Sequence, residues 1–461
     1  MTPRALLAFA LCAALLGATS SQAADPDKAA LRQIGDEVSG EQLRATITAL
    51  TAFGTRHSLS DTKSNTRGIG AARRWAQSRF EAISRDCGGC LQIVTPGQTF
   101  SGDRIPTPTE IIDVVAIQRG TTDPNRVIGI TCHIDSRNSY ALDAVGDAPG
   151  ANDDASGVAV VIETARILSK RKFAATLVYA ALSGEEQGLN GGKVLADYAV
   201  AQGWQVEANL NNDIVGNSHG INGVIDNTHV RIFSEGTKAV ETPAMAAARR
   251  SGGGELDTPS RNLSRFMDRI AEDYLTNFDV KLIYRADRFG RGGDHTRMLE
   301  AGFPAVRVTE AAENYDRQHQ NVRVENGRAY GDVISGVDFD YLAQVTRLNA
   351  VTMAALAWAP PPPREVTLTG GVSPNTTVTW KAPPGAVSYR VWWRDTTEAQ
   401  WRYSRSAPAG ALTLTLPGVI IDDWFFGVSA ITTDGYESPV AFPGPQGAWV
   451  NPLPAPSAAR P

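Results

Sequence analysis

The sequence has no long apolar run after its first residues and no excess of basic charge. Its 461 residues include 44 lysines and arginines against 49 aspartates and glutamates, a formal net charge of -5 at pH 7. This balance does not provide the cationic surface that nucleic acids bind, so we expect no nucleic-acid partner. Without a later apolar segment of roughly 20 residues, we also expect no membrane anchor. The composition, 42% hydrophobic, is typical of a globular protein with more than one domain.

The first residues have the layout of a cleaved export signal. Arg4 precedes an apolar run over 5–17, and small residues follow in Ser21-Gln22-Ala23. The apolar run is too short to cross a membrane, and a small residue before the cut is typical of secretory signal peptides. We therefore expect residues 1–23 to be removed and the mature protein to be exported, either to a periplasm or out of the cell.

Cysteine is scarce, with four residues in the chain. Cys12 falls in the predicted signal peptide. Cys87 and Cys90 flank a Gly-Gly pair, and in an exported protein this spacing favours a small disulfide over a redox or zinc-knuckle motif, since no second CxxC is present. Cys132 ends an apolar run and is expected to be a buried strand residue rather than a reactive thiol.

Short β-branched runs alternate with a helical pattern in the first part of the chain. The runs over 111–117, 126–132 and 174–182 are typical of strands, and 156–168 has apolar residues at helical spacing. Strands that alternate with helices indicate an α/β fold with a largely parallel sheet flanked by helices. Ligands of such sheets usually bind at the carboxyl ends of the strands, and polar motifs follow those ends in this chain.

A change in composition after Trp358 predicts a second domain. A helical pattern ends there, and the proline-rich stretch 359–364 predicts a stiff linker. Short runs rich in Thr, Val, Trp and Tyr then predict a β-sandwich over 365–450, whose spacing resembles a fibronectin type III module. The predicted α/β domain thus covers 24–358, and 451–461 form a tail. We expect the sandwich to be a spacer or an attachment module for an unknown partner, and the protein to be a monomer.

Histidine and carboxylate side chains recur along the predicted α/β part, several of them directly after a predicted strand. They are His133, Asp135, Asp153, Glu185, Glu186, Asp213 and His319. Zinc binds imidazole nitrogen and carboxylate oxygen, and a hydrolytic site must leave a position for water. Any one of these acids alone would usually be a solvated loop residue, but their joint occurrence indicates a peptidase with two zinc ions and peptide substrates.

Local spacing suggests roles for five of these residues. His133 and Asp135 are two apart on an extended segment and project to the same side, so Asp135 can receive the second ring N–H of His133. Asp153 lies in a sharp loop before a helix, where it can offer one oxygen to each zinc ion. Since only one of two adjacent acids can readily bind metal while the other faces the shared water, we assign Glu186 to zinc and Glu185 to the general base.

Five motifs occur in an order that resembles a known family. They are Cys132-His-Ile-Asp-Ser136, Gly150-Ala-Asn-Asp-Asp-Ala-Ser-Gly157, Ser183-Gly-Glu-Glu-Gln-Gly-Leu189, Asn212-Asp-Ile-Val-Gly216 and Gly292-Gly-Asp-His-Thr296. Together they resemble the secreted two-zinc aminopeptidases of metallopeptidase family twenty-eight, which includes proteins like bacterial leucyl aminopeptidase as well as glutaminyl cyclases and glutamate carboxypeptidases. The similarity extends over roughly residues 40–355 and implies a mixed sheet between helices.

The resemblance also implies a set of ligands and an activity. One zinc ion would bind His133, Asp153 and Asp213, and the other would bind Asp153, Glu186 and His319; the Asp153–Asp154 peptide would be cis. The implied reaction is hydrolysis of N-terminal residues from peptides through a zinc-bridging water, with Glu185 as general base. The alternatives are a glutaminyl-cyclase-like acyltransferase, a carboxypeptidase of the same family, or an inert binding protein.

Two segments near the predicted site allow more than one interpretation. His295 competes with His319 for the last ligand position, but the order of the motifs favours His319 and gives Asp294 and His295 a supporting role. The loop over 285–293 contains three arginines and three glycines. It is either a solvated turn or a place where an arginine binds a substrate carboxylate, which would favour acidic side chains, short peptides or a carboxypeptidase mode.

Overall fold

The structure, a computed structural model, describes residues 29–449. The predicted signal peptide and the tail lie outside the described residues. Within 29–449, no helix is long and apolar enough to cross a membrane. The helices are α1 (Ala29–Asp36), α2 (Gly40–Thr51), α3 (Gly68–Asp86), α4 (Ala155–Leu168), α5 (Asn190–Ala201), α6 (Pro243–Gly252), α7 (Pro259–Tyr274), α8 (His295–Glu300) and α9 (Phe339–Trp358), with a 3-10 turn at Ile334–Gly336.

The strands form one large sheet and several small ones. In chain order they are β1 (Leu91–Val94), β2 (Gly97–Gly102), β3 (Ile105–Ile112), β4 (Val114–Gln118), β5 (Asp123–His133), β6 (Ala175–Leu182), β7 (Gln205–Asn212), β8 (His229–Ser234), β9 (Asp279–Ile283), β10 (Ala305–Glu310), β11 (Arg323–Glu325), β12 (Arg328–Tyr330), β13 (Arg364–Thr369), β14 (Thr376–Lys381), β15 (Ser388–Asp395), β16 (Tyr403–Ser406), β17 (Thr413–Leu416) and β18 (Trp424–Ile431).

The large sheet has eight strands in the order β1-β4-β6-β5-β7-β10-β8-β9. Its four central strands, β6, β5, β7 and β10, are mutually parallel, while β1, β4 and β8 pair antiparallel with their inner neighbours. The predicted fold class, a mixed and largely parallel sheet flanked by helices, is therefore confirmed. Because parallel strands end at the same edge, the loops after β5, β6, β7 and β10 meet there.

Alternating side chains of the central strands pack on the two faces of this sheet. In β6, Leu177 and Tyr179 belong to the large core that also contains buried residues of α2, α4 and α9. Val178 and Ala180 belong to a smaller core with α5 and α8. This twofold alternation, with apolar side chains on both faces, is why the predicted strands read as nearly continuous apolar runs.

One predicted strand is divided in the structure. The run over 111–117 breaks at Asp113, so β3 forms a hairpin with β2 while β4 enters the large sheet. Asp113 is fully buried, and its carboxylate accepts the main-chain N–H of Ser183 at 2.9 Å. The apolar pattern did not reveal this break because the residues on both sides of Asp113 are apolar. The predicted disulfide between Cys87 and Cys90 is present, and Cys132 is buried.

The last part of the described chain forms two three-stranded antiparallel sheets, β13-β14-β17 and β16-β15-β18. They share an apolar core that includes Val378, Trp380, Val391 and Phe426. The proline-rich stretch lies between α9 and β13, while the exact domain limits and the fibronectin type III assignment stay predictions. Trp392 is buried, and its indole N–H donates to the hydroxyl of Ser429 at 2.8 Å.

Buried polar contacts join these sheets to the α/β part. Asp257, just before α7, is fully buried and forms ion pairs with Arg394 of β15 at 2.8 Å and with Arg265 of α7 at 3.0 Å. The hydroxyl of Tyr284 donates to the main-chain oxygen of Ala399 at 3.0 Å. The C-terminal sheets are thus packed directly on α7 and beside the start of the loop over 285–293, the basic loop, rather than attached through the linker alone.

Candidate active site

The predicted site residues meet at the carboxyl edge of the central sheet. His133 is the last residue of β5, and Asp213 directly follows β7. Glu185 and Glu186 come three and four residues after the end of β6. Asp153 lies in the loop before α4, where Asp154 caps the helix by accepting the N–H of Gly157 at 3.0 Å. The peptide between Asp153 and Asp154 is cis, as the resemblance implies.

Two groups of possible metal ligands share Asp153. In the first group, Nε2 of His133 lies 3.1 Å from Oδ1 of Asp153 and 3.7 Å from Oδ1 of Asp213. In the second, Nε2 of His319 lies 3.1 Å from Oδ2 of Asp153 and 2.9 Å from Oε1 of Glu186. The ligand atoms within each group are all within 4.8 Å of one another. Asp153 therefore turns a different oxygen toward each histidine, so it could provide a ligand to each of two metal ions.

The donor set fits zinc. Each group consists of one imidazole and two carboxylates, the ligand types that catalytic zinc uses, and three protein ligands leave a position for water. Oδ2 of Asp153 and Oε1 of Glu186 are buried, and among the described residues they have a close approach from Nε2 of His319 but no hydrogen bond of good geometry. Buried carboxylate oxygens are rarely left without a donor, so a cation is the partner that these atoms lack.

Asp135 holds the segment that carries the two glutamates. Its carboxylate accepts the main-chain N–H groups of Glu185 at 3.3 Å and Glu186 at 3.2 Å, and the hydroxyl of Ser58 at 2.7 Å. Nδ1 of His133 is 3.1 Å from the main-chain oxygen of Asp135 and 3.6 Å from its carboxylate. The structure thus places Asp135 beside His133, as expected, but directs most of its hydrogen bonds to the glutamate segment.

Glu185 lines a cavity at this edge of the sheet and takes part in neither ligand group. Burial raises the pKa of Glu185 well above the usual range; His133 opposes the rise, and the carboxylates of Asp213 and Glu186 add to it. These acids concentrate negative charge in one place, which again favours bound cations. A carboxylate that faces open space beside metal ligands has the position required of a general base.

His295 and Asp294 lie next to the site without joining either ligand group. His295 is fully buried, and its Nε2 is 2.8 Å from the main-chain oxygen of Ala286. Asp294 accepts the N–H of Gly192 at 2.9 Å, and burial raises its pKa to about 7. The structure therefore gives both residues the supporting position that the resemblance implies, and brings His319 to the metal ligands.

Four residues that support the ligands were missed in the sequence. Asp332 accepts the N–H of Asp153 at 2.7 Å, and Arg307 pairs with Asp213 at 2.7 Å. Arg137 lies 2.9 Å from a carboxylate oxygen of Glu186 and 2.6 Å from Nδ1 of His319. Glu310 accepts the side-chain N–H of Asn152 at 2.7 Å. A charged residue inside the apolar strand β10 was a signal for Arg307, while Asp332 lies in a distant loop without any motif.

The cavity beside the ligands has a volume of about 560 Å³. Four of the five ligand residues, all except His133, line it together with residues of the β2–β3 turn, the basic loop and the loop that carries His319. The cavity is lined by Arg104, Arg137, Asp153, Glu185, Glu186, Gly188, Leu189, Asp213, Arg288, Gly290, Arg291, Gly292, Tyr315, Gln318, His319 and Gln320. The volume is in the range of pockets that hold small molecules, so the cavity can hold a few residues of a peptide.

Comparison with known sequences gives the chain a family. The family model of peptidase family M28 matches residues 113–336, which include the ligand positions from His133 to His319. A probable zinc metalloprotease of Pyrenophora teres f. teres is 43% identical over 422 residues, which are 90% of this chain and 87% of that protein. A probable zinc metalloprotease of Leptosphaeria maculans is 43% identical over 415 residues, 89% of this chain and 96% of that one.

Solved structures share the fold at much lower identity. LapB from Legionella pneumophila matches with a TM-score of 0.54 and 18% identity, over 72% of this chain and 75% of that chain. The LapA aminopeptidase of the same organism matches with a TM-score of 0.53 and 19% identity, over 72% of this chain and 76% of that chain. Given the ligand groups and the close relatives along nearly its whole length, the chain belongs to peptidase family M28, among its zinc metallopeptidases.

Proposed function

We propose that this protein is an aminopeptidase that binds two zinc ions and removes single residues from the N-termini of peptides. The observation that carries the proposal is the arrangement around Asp153, whose two oxygens face two separate histidine and carboxylate groups beside one cavity. His133 and Asp213 would complete one zinc site, and Glu186 and His319 the other. Zinc bound there supplies polarisation of the scissile carbonyl and a lowered pKa for the attacking water.

The chain's own residues would perform the proton transfers. Glu185 takes a proton from the attacking water and delivers it to the nitrogen of the leaving amine, so the same carboxyl serves first as base and then as acid. Asp135 fixes the main chain at Glu185 through the hydrogen bond to its N–H, which limits the directions in which the carboxylate can point. Carboxylate oxygens of Asp153 and Glu185 at the cavity can also receive the α-ammonium group of a substrate.

The walls of the cavity favour exopeptidase action over cleavage within long chains. Arg104 extends from the β2–β3 turn and donates to the main-chain oxygen of Glu186 at 2.7 Å. The loop that carries His319 is joined to the segment after β5 by two hydrogen bonds between Ser139 and Asn321, each 3.1 Å long. These contacts fix two segments beside the ligand edge of the sheet. A pocket bounded in this way accommodates the end of a peptide more readily than an extended chain.

The test compares free and blocked substrates. Purified protein is incubated with amino-acid p-nitroanilides, with short peptides and with their N-acetylated forms, in the presence and absence of a chelator. We expect hydrolysis of the unblocked substrates alone, with loss of activity on chelation. Glu185→Gln should lower kcat by at least about 100-fold, since general base catalysis contributes roughly 10²–10⁴-fold.

Glu365→Gln is the matched control, because Glu365 is an exposed residue of β13 that pairs with Lys381 at the surface. It should retain the kcat of the unsubstituted protein. Cleavage of acetylated peptides from their C-terminal end would contradict the proposal in favour of a carboxypeptidase. Release of ammonia from N-terminal glutamine without peptide cleavage would contradict it in favour of a cyclase.

We further propose that the protein is exported and acts as a monomer, with its C-terminal sandwich free to contact a partner. The disulfide between Cys87 and Cys90 supports export, since such bonds persist in oxidising compartments. Mass determination of the protein from the periplasm and the culture medium tests the proposed export. A mature chain beginning at Ala24 agrees with it, and an intact Met1 in the cytoplasm contradicts it.

A further inference from the structure

The part of the cavity wall that the basic loop forms is rich in cationic groups and poor in apolar ones. Arg288 and Arg291, from the basic loop, line it together with Gln318. Among the lining residues, Leu189 and Tyr315 are the large apolar or aromatic side chains. A pocket for leucine or phenylalanine would instead be walled mainly by hydrophobic side chains. The lining therefore suits an oxygen-rich group of the substrate.

The carboxylate of Glu313 lies within ion-pair distance of three guanidinium groups, those of Arg231, Arg288 and Arg291. Arg231 forms the closest contact with its Oε1. Its Oε2 accepts a hydrogen bond from Gln318 at 3.1 Å and lies 3.5 Å from Nη1 of Arg288 and 3.6 Å from Nη1 of Arg291. Arg288 and Arg291, two of the four arginines that line the cavity, thus share an oxygen that is already hydrogen-bonded, at distances too long for good hydrogen bonds to it.

Arg288 shows the shortage of acceptors most clearly. Its side chain is 8% exposed, and its Nη1 is buried and has no hydrogen-bond partner among the described residues. Its Nε lies 3.3 Å from Asp287, which is also close to Arg307 at 3.5 Å. A buried guanidinium nitrogen without an acceptor is costly unless a ligand supplies one. Arg291 is 34% exposed and stands nearer the solvent side of the same wall.

We propose that Arg288 and Arg291 bind a carboxylate of the peptide substrate and so determine the specificity of the enzyme. This inference rests on the proposed aminopeptidase function. Guanidinium groups bind carboxylates through paired N–H donors, which gives both affinity and orientation. Two kinds of substrate carboxylate could bind these arginines: the side chain of an N-terminal aspartate or glutamate, or the free C-terminus of a dipeptide.

The experiment measures kcat/KM for two substrate pairs that differ in one carboxylate. Glutamyl and glutaminyl p-nitroanilide compare the side chain, and the dipeptide Leu-Gly and its amide compare the C-terminus. We expect at least a tenfold preference for the carboxylate in one pair, which identifies its source. Arg291→Gln should reduce that preference to less than threefold, chiefly through KM, and Arg288→Gln should do the same.

Arg285→Gln is the matched control, because Arg285 belongs to the same loop but is exposed and stacks on Phe289 instead of lining the cavity. It should keep the full preference. If Arg288→Gln does not fold, Arg291→Gln decides the question, since Arg291 is partly exposed. Equal rates within both pairs, or a preference that persists in both variants, overturn the inference alone. If no unblocked substrate loses its N-terminal residue, the proposed function fails and this inference fails with it.

Discussion

The buried cluster of Arg265, Asp257 and Arg394 gives a prediction about the two parts of the molecule. Asp257 is fully buried, lies 3.0 Å from Arg265 and 2.8 Å from Arg394, and is the carboxylate that both arginines contact. Replacement by Asn leaves two buried positive charges without a counter-ion. Arg394→Met instead leaves the pair of Asp257 and Arg265 intact. Asp257→Asn should therefore be the more harmful change.

Removal of one partner of a buried ion pair costs about 3–5 kcal/mol, because the other charge stays buried. We expect Asp257→Asn to lower the free energy of unfolding by about 4–5 kcal/mol. Arg394→Met should cost about 2–3 kcal/mol, from lost hydrogen bonds such as that to the main-chain oxygen of Glu398 at 2.6 Å. Lys381→Met, which breaks an exposed pair with Glu365 at 2.7 Å, should cost less than about 1 kcal/mol.

Urea unfolding followed by tryptophan fluorescence measures these values. Trp401 reports on the contact region, since its indole N–H donates to Asn262 of α7 at 2.9 Å. If Arg394→Met destabilises the protein as much as Asp257→Asn, or if neither exceeds Lys381→Met, the cluster does not hold the sandwich on the α/β part, and the reasoning from charge balance is refuted.

Three further predictions concern pH, the glutamate segment and the metal. Burial raises the pKa of Asp268 to about 7, so the folded state keeps a proton that the unfolded chain loses, and stability falls as pH rises from about 4 to 7. As pH rises from about 4 to 7, the free energy of unfolding of Asp268→Asn should increase by on the order of 2–4 kcal/mol relative to that of the unsubstituted protein. A difference between the two proteins that stays the same at every pH would contradict this. Asp135→Asn should lower kcat by about 10–100-fold with an unchanged far-UV circular dichroism spectrum, because Asp135 accepts the main-chain N–H groups of Glu185 and Glu186. Ser58→Ala, which removes one hydrogen-bond donor to Asp135, should lower kcat by less. Equal losses of kcat in the two variants would contradict the role of Asp135 in holding the glutamates. Chelation should abolish activity, and added zinc should restore it. The fold should be retained, because Asp332 accepts the main-chain N–H of Asp153 and Asp154 accepts that of Gly157 without any metal. Unfolding of the protein on chelation would contradict this explanation.

Much of the site could be predicted because its residues follow strands that the sequence shows clearly. The apolar run before His133 ends where β5 ends, and Asp213 directly follows β7, in which polar and apolar residues alternate; parallel strands bring those ends together. The two adjacent glutamates follow β6 for the same reason. The ligand roles of Asp213 and His319 depended on the resemblance, and His319 lies in a loop after β10 with positive φ and no periodic pattern.

The supporting residues could not be predicted because they come from distant parts of the chain. Asp332 contacts the main chain of Asp153 from a loop 179 positions away. Arg56 is fully buried and donates to the main-chain oxygens of Ile134 and Gly150, yet its sequence context resembles that of a surface turn. Arg394, which forms an ion pair with Asp257 of the α/β part, likewise follows the apolar residues Val391, Trp392 and Trp393 in β15 without any local sign of this contact. Tertiary contacts of this kind leave no local pattern.

The zinc content of the purified protein tests the central claim most directly. After the protein is loaded with zinc and dialysed against metal-free buffer, inductively coupled plasma mass spectrometry should give two zinc ions per chain. His319→Ala should retain one, since the group of His133, Asp153 and Asp213 stays complete, and Asp153→Ala should retain fewer than one because both groups lose a shared ligand. A single zinc ion in the unsubstituted protein, or two in His319→Ala, would contradict a two-zinc centre that shares Asp153.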